Sequence, residues 1–598
     1  MNEQNFPHIP RPEHPRPDFV RDTFYNLNGD WAFAFDDEDI GLTEGWYKPG
    51  YPLDKTITVP FCYQCAASGI GPTDEIHPIM WYRRSFTVPV EMQGRRILLK
   101  FGAVDHEAAV YINGHAVGGH KGGYTPFEMD ITPFLKAGEN DLCLRVVDEP
   151  DPIQPRGKQY WQQGLYACLY TASSGIWQTV YLEAVSDLRI DYIHVTPDID
   201  RGVASVEIVL NRVPRREVEL LLNVSRNGKK IRKAVASTEN RNVTVVIDVD
   251  ARDTFHPVAL WSPSFPNLYD LRVQLTDGET MLDQVDTYFG MRKVEVRNGV
   301  VYLNNKRIYQ RLILDQGYWP DTMITPPSDE AIREDLEWTR KFGFTGARKH
   351  QKIEDPRYYY WADRMGILIW GELPSAFTFT DETVENLSRT MQEFIRRDFN
   401  HPSIIAWVPL NESWGVPQIV SNARQQHAAS MLYYLTKAAD GTRICSGNDG
   451  WEQAHTDICG LHDYTSNQEM LKVHFADQDY IDEQTCDTRR TYVDGYRQTG
   501  NEAFMVTEYG GIAFANIGLQ GELGGMQTWG YHEKEQDEEA FFRRYEACTE
   551  VVLGIPFCQG YCYTQLTDVM QEINGLLTPD RKPKMDVERV RKINRKPF

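Results

Sequence analysis

Two glutamates stand where carboxyl chemistry could be done. The apolar run Ile404-Ile405-Ala406-Trp407-Val408-Pro409-Leu410 leads into Asn411-Glu412-Ser413-Trp414, and Phe504-Met505-Val506-Thr507 leads into Glu508-Tyr509-Gly510-Gly511. A carboxyl just past an apolar strand sits at that strand's C-terminal end, where a βα barrel carries its active groups. Two such carboxyls facing across one mouth can cleave a glycosidic bond. One protonates the departing oxygen while the other meets the oxocarbenium-like carbon from the opposite face. A separation of about 5–5.5 Å makes the second carboxylate a nucleophile and retains configuration, whereas about 6.5–9.5 Å admits a water and inverts it. The sequence leaves that distance open. An acid working near neutral pH also needs a desolvated or like-charged setting, which Trp407, Trp414 and the partner carboxylate would provide. The plain alternative for either glutamate is a barrel-mouth residue paired to an arginine or capping a helix.

These carboxyls need a frame. From about residue 293 helix-period segments alternate with brief apolar runs, the rhythm of βα units. Ser328 with Asp329 and Glu330 opens a helix that Gly343 closes, and Asp355-Pro356 opens another that Gly366 closes. Apolar runs at 308–314, 344–348, 367–371, 404–410, 443–446, 457–461, 503–507 and 559–563 make eight candidate strands. Eight βα repeats in about 300 residues predict a closed (β/α)8 TIM barrel over 293–598. No GxGxxG follows a strand to suggest a dinucleotide site. On this count Glu412 follows strand four and Glu508 strand seven, on opposite sides of the mouth. Upstream, short alternating runs at 81–88, 96–101 and 108–112, with the turn Asn113-Gly114, predict antiparallel β structure over 1–184. A second all-β stretch over 185–292, with strands at 205–210, 217–224, 242–249 and 268–275, has the spacing and length of an immunoglobulin-like sandwich. The Pro-rich first 17 residues are expected to lie extended.

Bulk properties narrow the partners. With 63 Lys and Arg against 85 Asp and Glu, the net charge of −22 repels polyanions and offers no basic run, so nucleic acid is not an expected partner. The N-terminus lacks an apolar h-region and no stretch reaches the roughly 18 apolar residues of a membrane span. A cytoplasmic protein with no membrane partner is expected; a homo-oligomer is left open. The 10 cysteines are scattered, unlike a secreted disulfide framework. Cys62 with Cys65 and Cys558 with Cys562 lack the further ligands of a tetrahedral zinc site, so buried thiols are expected. No metal or cofactor is called for.

Several segments resemble glycoside hydrolase family two, which comprises β-galactosidases, β-glucuronidases and β-mannosidases. Phe399-Asn400-His401-Pro402-Ser403-Ile404-Ile405 leading to Asn411-Glu412 resembles that family's acid/base signature, and Thr507-Glu508-Tyr509-Gly510 its nucleophile segment. Leu27-Asn28-Gly29-Asp30-Trp31, Trp81-Tyr82-Arg83-Arg84, Val110-Tyr111-Ile112-Asn113-Gly114 and Ser174-Gly175-Ile176-Trp177 resemble its N-terminal jelly-roll, sugar-binding domain. The likeness covers nearly the whole chain. It implies double displacement with retention, with Glu508 as nucleophile, Glu412 as acid/base and Asn411 bonded to the sugar 2-hydroxyl. Arg348 and His350 stand where the family reads Arg-x-Ser-His, with one residue fewer between them. Arg348 would orient a catalytic carboxylate, or form a plain barrel salt bridge, and His350 would touch a sugar hydroxyl. Glu372 matches an acidic position and Tyr464 the strand-six tyrosine that could steady the nucleophile; core packing is the alternative. Trp319, Trp370 and Trp529 could stack on a sugar face or fill the core.

The sugar is read from departures. Family β-glucuronidases hold the substrate carboxylate with an Asn-x-Lys motif, where this chain has Glu572-Ile573-Asn574-Gly575. A uronate would be repelled there unless Lys349 or Lys352 compensates, and the mannosidase-like Arg-x-Trp is absent. An exo-acting hydrolase of terminal β-galactoside-type sugars leads, although strand one lacks the Gly-x-Asn of typical β-galactosidases. Galacturonides, α-L-arabinosides and glucuronides stay open. The rivals are a carbohydrate-binding protein on a silent barrel and a transglycosylase.

Overall fold

The computed structural model describes residues 9–249, 258–478, 481, 491–496, 499–514 and 528–597. In the N-terminal region, a six-stranded antiparallel sheet faces a four-stranded one. Alternate residues of both, among them Trp31, Phe33, Tyr82, Leu99, Phe101, Val110 and Leu182, fill the space between. Asn113 and Gly114 both adopt positive φ, +51° and +82°, as a two-residue hairpin turn demands. Three- and four-stranded antiparallel sheets follow, closed on Ile193, Val206, Ile208, Leu220, Leu222, Val273 and Val285.

The last region is an eight-stranded parallel sheet made of β1 (Gln310–Asp315), β2 (Gly346–Lys349), β3 (Leu368–Glu372), β4 (Ile404–Val408), β5 (Ile444–Cys445), β6 (Ile458–Asp463), β7 (Ala503–Gly510) and β8 (Gly560–Thr564). Its order, β5-β4-β3-β2-β1-β8-β7-β6, curls into a nearly closed barrel. The helix punctuation acts as its chemistry suggests. The Ser328 side chain accepts from Ala331 N at the start of helix Asp329–Lys341, and Asp355 caps Pro356–Met365, which Gly366 ends at φ +71°.

Alternation along the strands decides which side chains reach the mouth. Leu312, Leu314, Trp370, Ala406, Val408 and Met505 pack inside the barrel, whereas Ile313, Ile369, Trp407 and Val506 pack outward against the helices. Two sequence expectations change as a result. Trp370 is fully buried barrel filling, its Nε1 donating to Gln310 Oε1 at 2.9 Å, so it offers no face to a sugar. Trp407 points away from the mouth, packed edge-on against Phe394 and bonded to Asp440 Oδ2 at 2.9 Å, so it does not wall the acid.

Candidate active site

Glu412 and Glu508 meet at the mouth. Pairing registers shift between Leu461 and His462 against β6 and between Val506 and Tyr509 against β8, the irregularity by which a bulge re-aims a side chain. Tyr509 thereby stays outward while Glu508 turns in. Glu412 and Ser413 both adopt left-handed backbone, φ +52° and +59°. Such strain costs roughly 1 kcal/mol or more per residue. It is held by Glu412 N donating to Asp449 O at 2.8 Å and Ser413 N donating to Asn448 Oδ1 at 2.9 Å. The Glu412 side chain is 14% exposed and that of Glu508 is 3% exposed, so Glu412 faces the opening and Glu508 lies deeper.

Arg348 ties the floor together. Its Nε donates to Glu372 Oε1 at 2.6 Å, Nη1 lies 3.1 Å from Glu508 Oε1 and 2.9 Å from Asp449 Oδ2, and Nη2 donates to Asn411 Oδ1 at 3.1 Å. Burial alone would lower the pKa of this guanidinium, but Asp449, Glu372 and Glu508 hold it well above its ordinary value. The other Glu372 oxygen meets His350 Nδ1 at 2.7 Å. Glu372 is fully buried behind this pair, and burial raises its pKa. Burial, with Lys158 nearby, holds the His350 pKa well below the ordinary imidazole range, so that ring is neutral. Tyr464 donates to Glu508 Oε2, meets Thr564 Oγ1 at 3.1 Å and stacks on Tyr531 at 3.4 Å between centroids. Trp529 is half-buried, 4.8 Å from Tyr531. Asn411, Arg348, His350, Glu372 and Tyr464 thus connect to the carboxylate pair, while Trp529 stands one ring further out.

His462 and Asp449 complete the cluster. His462 Nδ1 lies 2.7 Å from Glu412 Oε1, and Nε2 lies 3.0 Å from Asp449 Oδ2 and 3.5 Å from Glu508 Oε1. Burial would depress this imidazole, but Glu508, Asp449 and Glu412 lift its pKa to about 10. Burial would likewise raise Asp449, yet Arg348 and His462 hold it well below the usual carboxylate range. Two glycines make the room. A Cβ on Gly460 would lie 2.3 Å from Asp449 Oδ1, and one on Gly450 would lie 2.4 Å from His462 Nδ1. Ligand atoms of Glu412, His462 and Glu508 come within 4.8 Å of one another, a spacing that could hold a metal ion. A protonated imidazole has no lone pair for one.

Three family models match almost end to end: "Glycosyl hydrolases family 2, sugar binding domain" over 24–182, "Glycosyl hydrolases family 2" over 188–292 and "Glycosyl hydrolases family 2, TIM barrel domain" over 294–596. The chain belongs to glycosyl hydrolase family 2. Among its relatives are a putative beta-glucuronidase of Formosa agariphila, 29% identical over 60% of this chain and 43% of that protein, and a beta-galactosidase of Thermoanaerobacter pseudethanolicus, 27% identical over 65% and 52%. The chain thus spans about half the length of these curated relatives. A β-glucuronidase from Ruminococcus gnavus, solved with D-glucuronic acid, shares the fold with TM-score 0.75 at 20% identity, covering 95% of this chain and 97% of that one.

Within this family-2 frame, the sequence reading passed over His462, Asp449 and the contribution of the first domain. A signal existed for His462, which lies two residues before Tyr464, the spacing that puts two side chains on one side of an extended segment. The loop 148–174 of the first domain lies over the barrel mouth, with Arg156 N and Gly157 N both donating to Ser375 O at 2.9 Å and Gln571 Nε2 donating to Leu169 O at 2.8 Å. Nothing local in sequence marks such a contact. Lys349 and Lys352, considered as uronate partners, are spent elsewhere. Both reach Glu354, at 2.9 and 2.8 Å. Among the described residues no helix is long and apolar enough to cross a membrane.

Proposed function

We propose that this protein is a retaining exo-β-glycosidase in which Glu508 is the nucleophile and Glu412 the acid/base. The observation that carries the reading is the carboxylate spacing: an oxygen of each lies within 4.8 Å of the other. Nearest oxygens this close favour the short-gap arrangement associated with covalent catalysis over the wider one that admits a water. A Glu508 oxygen attacks the anomeric carbon as the bond to the leaving oxygen breaks, and Glu412 delivers a proton to that oxygen. Water then attacks the same carbon, Glu412 takes its proton and Glu508 is released. Arg348 and the Tyr464 hydroxyl fix the nucleophile's orientation. Asn411, steadied by Arg348, is placed to bond the sugar 2-hydroxyl, an interaction that tightens in the transition state. Loop 148–174 closes one side of the mouth, which favours a terminal sugar over an internal one.

For the sugar, Glu572 supports a neutral, β-galactoside-type substrate. It is buried in the last barrel loop, accepts from the Tyr170 hydroxyl and adds negative charge to a mouth that already holds two carboxylates. Uronide hydrolysis is the second reading, favoured by the cation Lys158 in the same mouth. The test is hydrolysis of p-nitrophenyl glycosides with the anomer followed by NMR. Retention is expected, with Glu508→Gln inactive and Glu412→Gln impaired most on poor leaving groups. Inverted product, or an active Glu508→Gln, would overturn the assignment.

A further inference from the structure

Lys158 is the least explained group in the mouth. It comes from the first domain, is only 5% exposed, and its ammonium lies 4.9 Å from the ring centre of Trp414, two residues after Glu412. It forms no ion pair among the described residues, no carboxylate oxygen lying within 4.0 Å. Its polar neighbour is the Cys168 thiol, which burial keeps neutral, with a pKa pushed up to about 11. A buried, unpaired ammonium is costly unless something completes it.

Its neighbours in sequence are built to deliver it there. Arg156 bonds Asp148 Oδ1 at 2.8 Å and Asp151 O at 2.9 Å. Gly157, at φ +60°, passes so close to the barrel that a Cβ would lie 2.0 Å from Gln351 O. Gln159 Nε2 donates to Asp105 Oδ2 at 2.8 Å and to the Tyr124 hydroxyl at 2.7 Å. Both flanks of Lys158 are thus locked, while its own head is left over the cleft. Glu412, Glu508 and Glu572 all act on that head electrostatically without touching it. The ammonium and the Glu572 carboxylate act on one another without an ion pair, and Glu572 accepts from the Tyr170 hydroxyl and from Asn574 Nδ2.

We infer that Lys158 is a specificity-determining substrate-binding residue, paired across the pocket with Glu572 to grip hydroxyls of a neutral terminal sugar. The inference rests on the glycosidase reading above. A sugar hydroxyl both accepts and donates, so neighbouring hydroxyls can take a proton from Lys158 and give one to Glu572. A uronate carboxylate can only accept, and Glu572 would repel it. Lys158 alone would have to offset that repulsion, because the other nearby cations are already held. Arg348 is committed to Glu372, Asp449, Glu508 and Asn411, and His462 to Glu412 and Asp449. Lys584, behind the same loop, is held by Asp568 at 2.8 Å and by Ile573 O at 2.9 Å.

The test uses the full chain and two matched substrate pairs that differ only at C6: p-nitrophenyl β-galactoside with β-galacturonide, and β-glucoside with β-glucuronide. The wild type is expected to prefer a neutral member. Lys158→Met should lower kcat/KM on it by about 10- to 100-fold, the loss expected for one charged hydrogen bond. Lys158→Arg should recover part of this, and Glu572→Gln should shift the ratio towards the uronide. A wild type that cleaves only uronides, or none of the four, overturns the inference. So does a Lys158→Met loss confined to uronides, or a Lys158→Met enzyme with unchanged kcat/KM on the neutral sugar. If Lys158→Met does not fold, Lys158→Arg and Glu572→Gln decide the matter. Glu508→Gln, run alongside, separates the two levels: its inactivity beside a fully active Lys158→Met sinks this inference alone, whereas its activity sinks the glycosidase reading.

Discussion

His462 Nδ1 lies 2.7 Å from Glu412 Oε1, so the carboxylate assigned to proton transfer is bonded to an imidazole that Asp449 grips from the other side at 3.0 Å. The arrangement places a fixed cation between the Glu412 and Glu508 carboxylates, offsetting the repulsion that two negative charges so close would otherwise suffer. It also leaves the second Glu412 oxygen for the leaving group.

The His462 charge makes stability depend on pH. An unfolded imidazole titrates near 6.5, against about 10 in the folded protein. Below about pH 6.5 both states carry the proton and the stabilisation is fully present. Above it the folded state keeps a proton that the unfolded state has lost, so stability falls by up to about 1.4 kcal/mol per pH unit until about pH 10. His462→Gln retains hydrogen-bonding capacity without titrating and should flatten this limb. Urea midpoints of both proteins between pH 6.5 and 10 check it; parallel curves would show that His462 is not the group responsible.

Tyr464 donates to Glu508, the proposed nucleophile. Burial raises the phenol pKa well above its ordinary value, so it stays a donor throughout the working range. Tyr464→Phe leaves Glu508 Oε2 without its phenol donor, only Arg348 and His462 remaining at Oε1, and should lower kcat by about 10- to 100-fold. KM should change little, because the hydroxyl touches the nucleophile rather than the sugar. Steady-state kinetics that put the effect on KM instead would move Tyr464 to a binding role.

Arg348 is expected to matter as much for stability as for turnover. Arg348→Met strands Glu372 and Asp449, both buried, without their shared cation. Breaking a buried pair in this way costs about 3–5 kcal/mol, read as a lowered urea midpoint at neutral pH. Protonation relieves the stranded acids, so the deficit relative to wild type should shrink as pH falls. A deficit independent of pH would place its origin in packing.

The parts of this site that were legible in sequence are those marked by an apolar run ending in a polar residue. Eight strands and the two glutamates follow from that signal, whereas Asn411, Arg348 and Tyr464 were expected only from the family resemblance. Face parity followed from neither. Barrel strands are apolar on both sides, which hides that Trp370 turns inward and Trp407 outward. Partners from distant segments were also invisible. Asp449 closes on Arg348 only because β5 follows β4 round the barrel, and Lys158 arrives from another domain.

Gly157 tests whether that arrival is structural or functional. Gly157→Ala would put a methyl 2.0 Å from Gln351 O in a left-handed conformation, so the segment carrying Lys158 must lift from the barrel. In the same loop Gly164, at φ +96°, has open space where a Cβ would lie, with nothing within 4 Å. Gly164→Ala therefore suffers only the backbone penalty, about 1–2 kcal/mol. Gly157→Ala should lower the thermal midpoint further than Gly164→Ala and, assayed well below both midpoints, should lose kcat/KM by at least tenfold more, the rest of the loop staying anchored through the Arg156 and Gln159 side chains. Equal losses in both enzymes would mean that the loop acts through general stability, and that the close approach of Gly157 to the barrel has no bearing on catalysis.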